Sequence, residues 1–225
     1  MEIAVLRNVQ EHNDATADDI RGLLTARRVC MINVMGGAGC GKTTLLERLI
    51  PRLGPGLRCA VLEGDITTVY DAERIADLDV PVVQLQTEGS CHLDAWLVHD
   101  GLRALPLDDV DLVFVENVGN LVCPAEFDIG EHARLAVLSV MEGDDKPAKY
   151  PLLFSRATNV VLSKCDLISH TDFDIAKAVR AIRVVNPTVA IIETGTGLTG
   201  DDRLAQWLIE RQREVAGTVS KCQCP

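Results

Sequence analysis

The stretch "VCMINVMGGAGCGKTT", residues 29–44, runs an apolar segment straight into a glycine-rich loop and then into the helix-forming "KTTLLERLIPRL". Gly36, four residues, then Gly41, Lys42 and Thr43 have the spacing of a phosphate-binding loop, set between strand and helix as that loop requires. Glycines let successive backbone N–H groups turn inward around an anion, and the helix N-terminus adds its dipole. Gly36, Gly37, Ala38, Gly39, Cys40, Gly41, Lys42, Thr43 and Thr44 are therefore expected to hold a nucleoside triphosphate. Lys42 would reach the β- and γ-phosphates, and the Thr43 hydroxyl would ligate Mg²⁺.

Outward from this loop, apolar runs alternate with amphipathic stretches. The runs are "CAVLEG" (59–64), "PVVQL" (81–85), "VDLVFVE" (110–116), "RLAVLSVM" (134–141), "TNVVLSK" (158–164) and "TVAIIE" (188–193). Several lack polar alternation, as expected of strands covered on both faces. Between them, "DAERIADL", "HLDAWLVHDGLRAL", "FDIAKAVRAIRVV" and "DDRLAQWLIERQREV" read as helices, and a leading helix is expected over about 13–27. The pattern predicts an α/β fold, a mostly parallel central sheet with helices on both faces. The ends, 1–12 and 216–225, are expected to be mobile.

The chain has 225 residues, suited to a single domain over 1–225, with 47% hydrophobic and 24% charged residues. A formal net charge of −11 without clustered Lys and Arg argues against a nucleic-acid partner. No segment has the roughly 20 apolar residues needed to span a bilayer. A cytoplasmic chain with no membrane partner is expected, its eight cysteines mostly reduced.

Three features extend the nucleotide site. Glu116 ends an apolar strand where an acid can hold Mg²⁺ or its water, and Gly119 follows in an E-x-x-G spacing. Asp65 and Asp71 in "GDITTVYDAERI" can approach the same ion, although capping acids on the surface would look alike. Lys42, Asp65 and Glu116 are the catalytic candidates. In "LSKCDL", Lys164 and Asp166 keep the lysine and carboxylate of an N-K-x-D base loop, with Ser163 in place of asparagine. Guanine is favoured, and spacing alone leaves adenine open.

Thiols mark a second site. Cys30 and Cys59 lie in strands as small hydrophobes, while Cys40 and Cys165 neighbour the nucleotide. Cys91 and His92 in "GSCHLDA" and Cys123 in "NLVCPAEF" fall beyond strand ends, on the side of the phosphate loop in a parallel sheet. Two thiolates and an imidazole suit Zn²⁺ or Ni²⁺ and leave a coordination position open. Cys222 and Cys224 read as incidental thiols of a solvated tail. His99 stands on the helix after the metal pair, and His12, His132 and His170 read as surface residues.

"GDITTVYDAERI", "SCHLDA", "ENVGNLVCPAEFDIGE", "EGDDKPAKYP" and the K-x-D segment together resemble the HypB family of hydrogenase maturation GTPases, over roughly residues 13–210. The resemblance implies GTP with Mg²⁺ on Gly36 to Thr44, a switch containing Glu116, and Ni²⁺ or Zn²⁺ on Cys91, His92 and Cys123. It also implies slow GTP hydrolysis to GDP and a GTP-dependent homodimer with the metal site at or near its interface. The implied partners are other maturation proteins and the large subunit of a [NiFe]-hydrogenase. Ser163 departs from the family's base loop, and "ETGTGLTGD" stands where a Ser-Ala segment would buttress guanine. Neither the N-terminal cysteine motif nor the histidine-rich tract of many members precedes the leading helix, so no nickel store is expected. The competing readings are a nucleotide-gated zinc regulator and a urease-type accessory GTPase, whose Cys-Pro-His motif does not occur here.

Overall fold

Alternating helices and strands leave each strand apolar on both faces, so the stable arrangement is a parallel sheet between helical layers. The computed structural model describes residues 4–65, 70–87 and 89–221, with side chains over 10–54, 56–64, 70–87 and 89–218. The strands are β1 (Cys30–Gly36), β2 (Cys59–Asp65), β3 (Val82–Gln86), β4 (Leu112–Glu116), β5 (Ala133–Ser139), β6 (Asn159–Ser163) and β7 (Ala190–Glu193). The helices are α1 (Ala4–Ala26), α2 (Lys42–Leu53), α3 (Tyr70–Ala76), α4 (Ala95–Ala104), α5 (Cys123–Glu126), α6 (Lys146–Lys149), α7 (Pro151–Arg156), α8 (Ile175–Val185) and α9 (Gly200–Lys221). Among the described residues the sheet order is β3-β2-β4-β1-β5-β6-β7, with every pairing parallel.

Because side chains alternate across a strand, β1 feeds separate core regions. Ile32 and Val34 pack with Leu46 and Leu49 of α2 and with Leu204 and Leu208 of α9. Met31 joins Ile20 and Leu24 of α1 and Val98 and Leu102 of α4. Met35 meets Leu138, Phe154 and Leu162 in a third region closed by Ile182 of α8. Each large side chain buried this way contributes about 1.5–3 kcal/mol over leaving it in water. Since all strands run one way, Gly36, Asp65, Glu116 and Ser163 end on one edge. On that edge β1 lies between β4 and β5, the switch point where ligands bind in such sheets.

Three local findings differ from the sequence expectations. The leading helix begins at Ala4, because no glycine or proline interrupts residues 4–21. Helix α9 continues through 216–221, while Cys222 and Cys224 lie outside the described residues. Short α5, α6 and α7, absent from the helices expected, each carry a proline in the first turn, where its missing N–H costs nothing.

Helix α1 also clamps the loop that leads into β5. Asn13 Nδ2 donates to the Asp128 carbonyl at 2.8 Å, and Asn13 Oδ1 accepts from the Ala95 amide at 2.9 Å. Arg21 Nη2 grips both Asp128 carboxylate oxygens, at 2.6 and 2.7 Å.

His12 and His170 are exposed, but His132 is half-buried, which corrects its reading as a surface residue. Its Nδ1 accepts from the Met31 amide at 3.0 Å, and its Nε2 meets Thr25 Oγ1 at 3.0 Å. Burial, with Arg21 nearby, depresses its pKa to about 4. The unfolded chain takes up this proton near pH 6.5 and the native state only near 4, so its stabilising contribution is present above 6.5 and lost as pH falls to 4. The expected loss is no more than about 3 kcal/mol. Denaturant midpoints from pH 7.5 to 4 should fall less steeply for His132→Asn than for the wild type. Parallel curves would refute this reading.

Candidate functional site

The loop after β1 turns through Gly39 (φ 71°) and Gly41 (φ 94°), a left-handed backbone that side chains resist. It delivers Lys42 and Thr43 into the first turn of α2. Lys42 Nζ lies back over the loop, 3.5 and 3.4 Å from the Gly36 and Gly37 carbonyls. Thr43 Oγ1 donates to Glu116 Oε1 at 2.8 Å. Burial pushes Glu116 up to about 7, opposed by Lys42 and the Thr43 hydrogen bond, and its buried Oε2 has no hydrogen-bond partner among the described residues. A hydroxyl beside a carboxylate with one unpartnered oxygen is a donor set that fits Mg²⁺.

The cleft above this pair has a volume of about 330 Å³. From the phosphate loop, Ala38, Gly39, Gly41, Lys42, Thr43 and Thr44 line it, while Gly36 stays in the sheet and Cys40 is buried. Asp71, Glu116 and Lys164 line it as well. Asp65 ends β2 at this edge, and its side chain lies outside the described residues. Gly119 lines it too, and Glu63, Gly64, Arg74 and Asn117 complete the lining without a sequence signal having marked them. Glu63 is 2% exposed and paired in register with Glu116 across β2 and β4, so strand periodicity could have found it. Arg74 had no local signal. It donates to Thr44 Oγ1 at 3.0 Å, to both Glu47 oxygens at 3.0 and 2.7 Å, and to Asp71 at 2.9 Å.

At the far end of the cleft, the Ser163 hydroxyl donates to the Cys40 carbonyl at 2.7 Å in a buried bond, and Lys164 Nζ donates to the Gly39 carbonyl at 2.7 Å. Ser163 thus ties the base loop to the phosphate loop. Asp166 does not line the cleft itself; it stands against Gly195, where an added Cβ would come within 2.8 Å of the Asp166 amide nitrogen. The segment holding Gly195 is fixed on two sides. Arg48 Nη2 donates to the Gly195 carbonyl at 2.8 Å, and the Cys165 amide to the Thr194 carbonyl at 2.9 Å.

The second site lies beyond the same strand ends. Cys91 and His92 precede α4, which Asp94 caps by accepting from the Leu97 amide at 2.8 Å. Cys123 opens α5. Cys91 Sγ is 2.8 Å from Cys123 Sγ and 3.9 Å from His92 Nδ1, and one ligand atom from each of the three lies within 4.8 Å of the others. All three are half-buried. The His92 ring stacks on Phe127 with centroids 3.9 Å apart at 19°, and Phe127 adjoins the Asp128 that α1 clamps. Burial keeps the His92 pKa below its ordinary value, favouring the neutral imidazole a metal needs, and the hydrogen bond with Cys91 raises the Cys123 thiol. The remaining described thiols, Cys30, Cys40, Cys59 and Cys165, are buried with pKa values pushed up to about 11–12, as suits packing residues.

Comparison with known proteins agrees with this geometry. The family described as CobW/HypB/UreG, nucleotide-binding domain, matches residues 30–193. The hydrogenase maturation factor HypB of Escherichia coli (strain K12) is 45% identical over 207 residues, spanning 92% of this chain and 71% of that protein. The probable hydrogenase maturation factor HypB of Methanocaldococcus jannaschii is 37% identical, spanning 94% and 96%. Among solved structures, HypB from Helicobacter pylori in complex with nickel superposes with a TM-score of 0.86 at 31% identity, covering 90% of this chain and 96% of that one. The signal recognition particle receptor FtsY of Elizabethkingia anophelis, 18% identical with a TM-score of 0.57, shares the fold alone. A phosphate loop, an acid-ended β4 and a Cys-Cys-His cluster on one sheet edge, with this extent of identity, place the chain in the HypB family of hydrogenase maturation factors.

Proposed function

We propose that this chain is a GTP-hydrolysing metallochaperone that assists nickel insertion during maturation of a [NiFe]-hydrogenase. The observation that carries the reading is the Cys91–His92–Cys123 cluster, whose ligand atoms lie within 4.8 Å, on the sheet edge that also presents the phosphate loop. Two soft thiolates and an imidazole with an open position suit a cargo ion that must be released, and the same set accepts Zn²⁺.

In this reading Gly36 to Thr44 hold the phosphates, and Lys42 leaves the Gly36 and Gly37 carbonyls to meet them. Thr43 and Glu116 would hold Mg²⁺, with Asp65 and Asp71 near it, and the bound ion would supply positive charge against the phosphates. Lys164 and Asp166 hold the guanine, with Ser163 keeping their loop against Cys40. Release of the Thr43–Glu116 bond lets the segment after β4 report nucleotide state, and the chain dimerises in its GTP form. Other maturation proteins and the hydrogenase large subunit are the partners, in the cytoplasm. Among the described residues no helix is long and apolar enough to cross a membrane.

The test is phosphate release from GTP and ATP, with Ni²⁺ titration and mass in solution under GDP and a non-hydrolysable GTP analogue. Expected are turnover of GTP over ATP, nickel binding near one ion per chain, and a doubled mass with the analogue alone. Absence of both nickel binding and GTP turnover would refute the assignment.

A further inference from the structure

Both halves of the cysteine–histidine cluster hang from one five-residue segment, Glu116 to Asn120. Asn117, 1% exposed, accepts on Oδ1 from the Leu93 amide at 3.3 Å and the Val118 amide at 3.0 Å. Leu93 directly follows Cys91 and His92. The other end of that amide is fixed in turn: Asn117 Nδ2 donates to Asn33 Oδ1 at 3.1 Å, and Asn33 Nδ2 donates to Glu131 Oε1 at 3.3 Å. Three residues on, Asn120 Nδ2 points at Cys123 Sγ at 3.7 Å, while its Oδ1 accepts from the Val122 amide at 2.8 Å. The backbone between these two side chains is tied to the phosphate loop. Asn120 forms an antiparallel bridge with Gly36, and Gly119 lies so close to Ala38 that an added Cβ would stand 2.7 Å from the Ala38 Cα.

We propose that Asn117 and Asn120 are positioning residues that transmit the state of the phosphate loop to the metal ligands, Asn117 through the Cys91–His92 loop and Asn120 through the Cys123 sulfur. The inference rests on the function proposed above and adds the route of its regulation. When Glu116 and the backbone at Gly119 shift relative to Ala38, Asn120 shifts with them, and its N–H leaves or meets the sulfur. The separation of Cys123 from Cys91 then changes. Partners of this kind, which touch a ligand without touching the metal, typically change metal affinity 10- to 100-fold.

The experiment uses the full chain as wild type, Asn120→Ala and Asn120→Asp. The aspartate keeps an oxygen for the Val122 amide and removes the N–H donor. Ni²⁺ affinity by competition titration and the nickel–thiolate charge-transfer absorption are recorded with GDP and with a non-hydrolysable GTP analogue, alongside nucleotide affinity. The expected result is a nickel affinity in the wild type that differs about tenfold or more between the two nucleotide states. Both variants should reduce that ratio to near one and shift the absorption, with nucleotide affinities within about threefold of wild type. A nucleotide-sensitive wild type with unchanged variants overturns the inference alone, as does a wild type that binds nickel equally in both states. A wild type with no nickel–thiolate absorption in either state overturns the proposed function and this inference with it.

Discussion

Lys42→Ala is expected to reduce nucleoside triphosphate hydrolysis by at least roughly 10³-fold, with the fold intact. Lys42 is 7% exposed, stands in the first turn of α2, and lines the cleft beside Thr43. In phosphoryl transfer the protein contributes mainly positioning and electrostatic stabilisation, so a preplaced ammonium on the β- and γ-phosphates accounts for much of the rate. Of the other cations lining the cleft, Lys164 is held on the Gly39 carbonyl, and Arg74 is engaged by Glu47, Asp71 and Thr44 and does not replace Lys42 without leaving all three. Stability should change little, because among the described residues the Lys42 ammonium makes only two long hydrogen bonds, to the Gly36 and Gly37 carbonyls. Phosphate release checks the rate, and thermal denaturation checks the fold. Turnover within tenfold of the wild type would sink the assignment of Lys42.

Cys123→Ala should lower Ni²⁺ affinity by more than about 100-fold while leaving nucleotide affinity unchanged. Of the three clustered ligands, Cys123 alone comes from the segment after β4, and its loss leaves the adjacent Cys91 and His92, a pair with little means of enclosing an ion. Cys165→Ala is the control, since that buried thiol donates to the Leu162 carbonyl and faces no other ligand. Competition titration of both variants separates ligand from packing residue. Equal losses in the two would mean that nickel binding reports general stability, not this cluster.

The sheet was legible in the sequence because its signal is local. β1, β4 and β6 are buried at every position, so their apolar runs needed no tertiary context to be seen. The phosphate loop was legible because the chemistry demands glycines and a lysine at fixed spacing. The grouping of Cys91 and His92 with Cys123, 32 residues away, was legible because all three fall beyond strand ends of a parallel sheet, and the family resemblance pointed to the same three residues. What escaped depends on packing between distant segments. Arg74 acquires its place from Glu47 and Thr44 on α2, and Asn117 from Leu93 and Asn33, none of them sequence neighbours. His132 looked like surface because nothing in "GEHAR" reveals that Met31 and Thr25 wait above it. Ser163 read only as a departure from the N-K-x-D pattern, whereas its hydroxyl makes a buried bond to the Cys40 carbonyl that ties its loop to the phosphate loop.

The central position of β1 sets an order on synthesis of the chain. Its two neighbours, β4 and β5, come from residues 112–116 and 133–139, so β1 leaves the ribosome with no strand to pair until residues 112–116 have been made. The phosphate loop, whose Gly36 is held by Val137 on one side and Asn120 on the other, cannot close before then, and its Ser163 tether emerges later still. A nascent chain of this kind carries an unpaired apolar strand until β4 and β5 emerge. It becomes able to bind nucleotide only after β6 has emerged, so nucleotide can stabilise the folded domain but cannot guide its early folding.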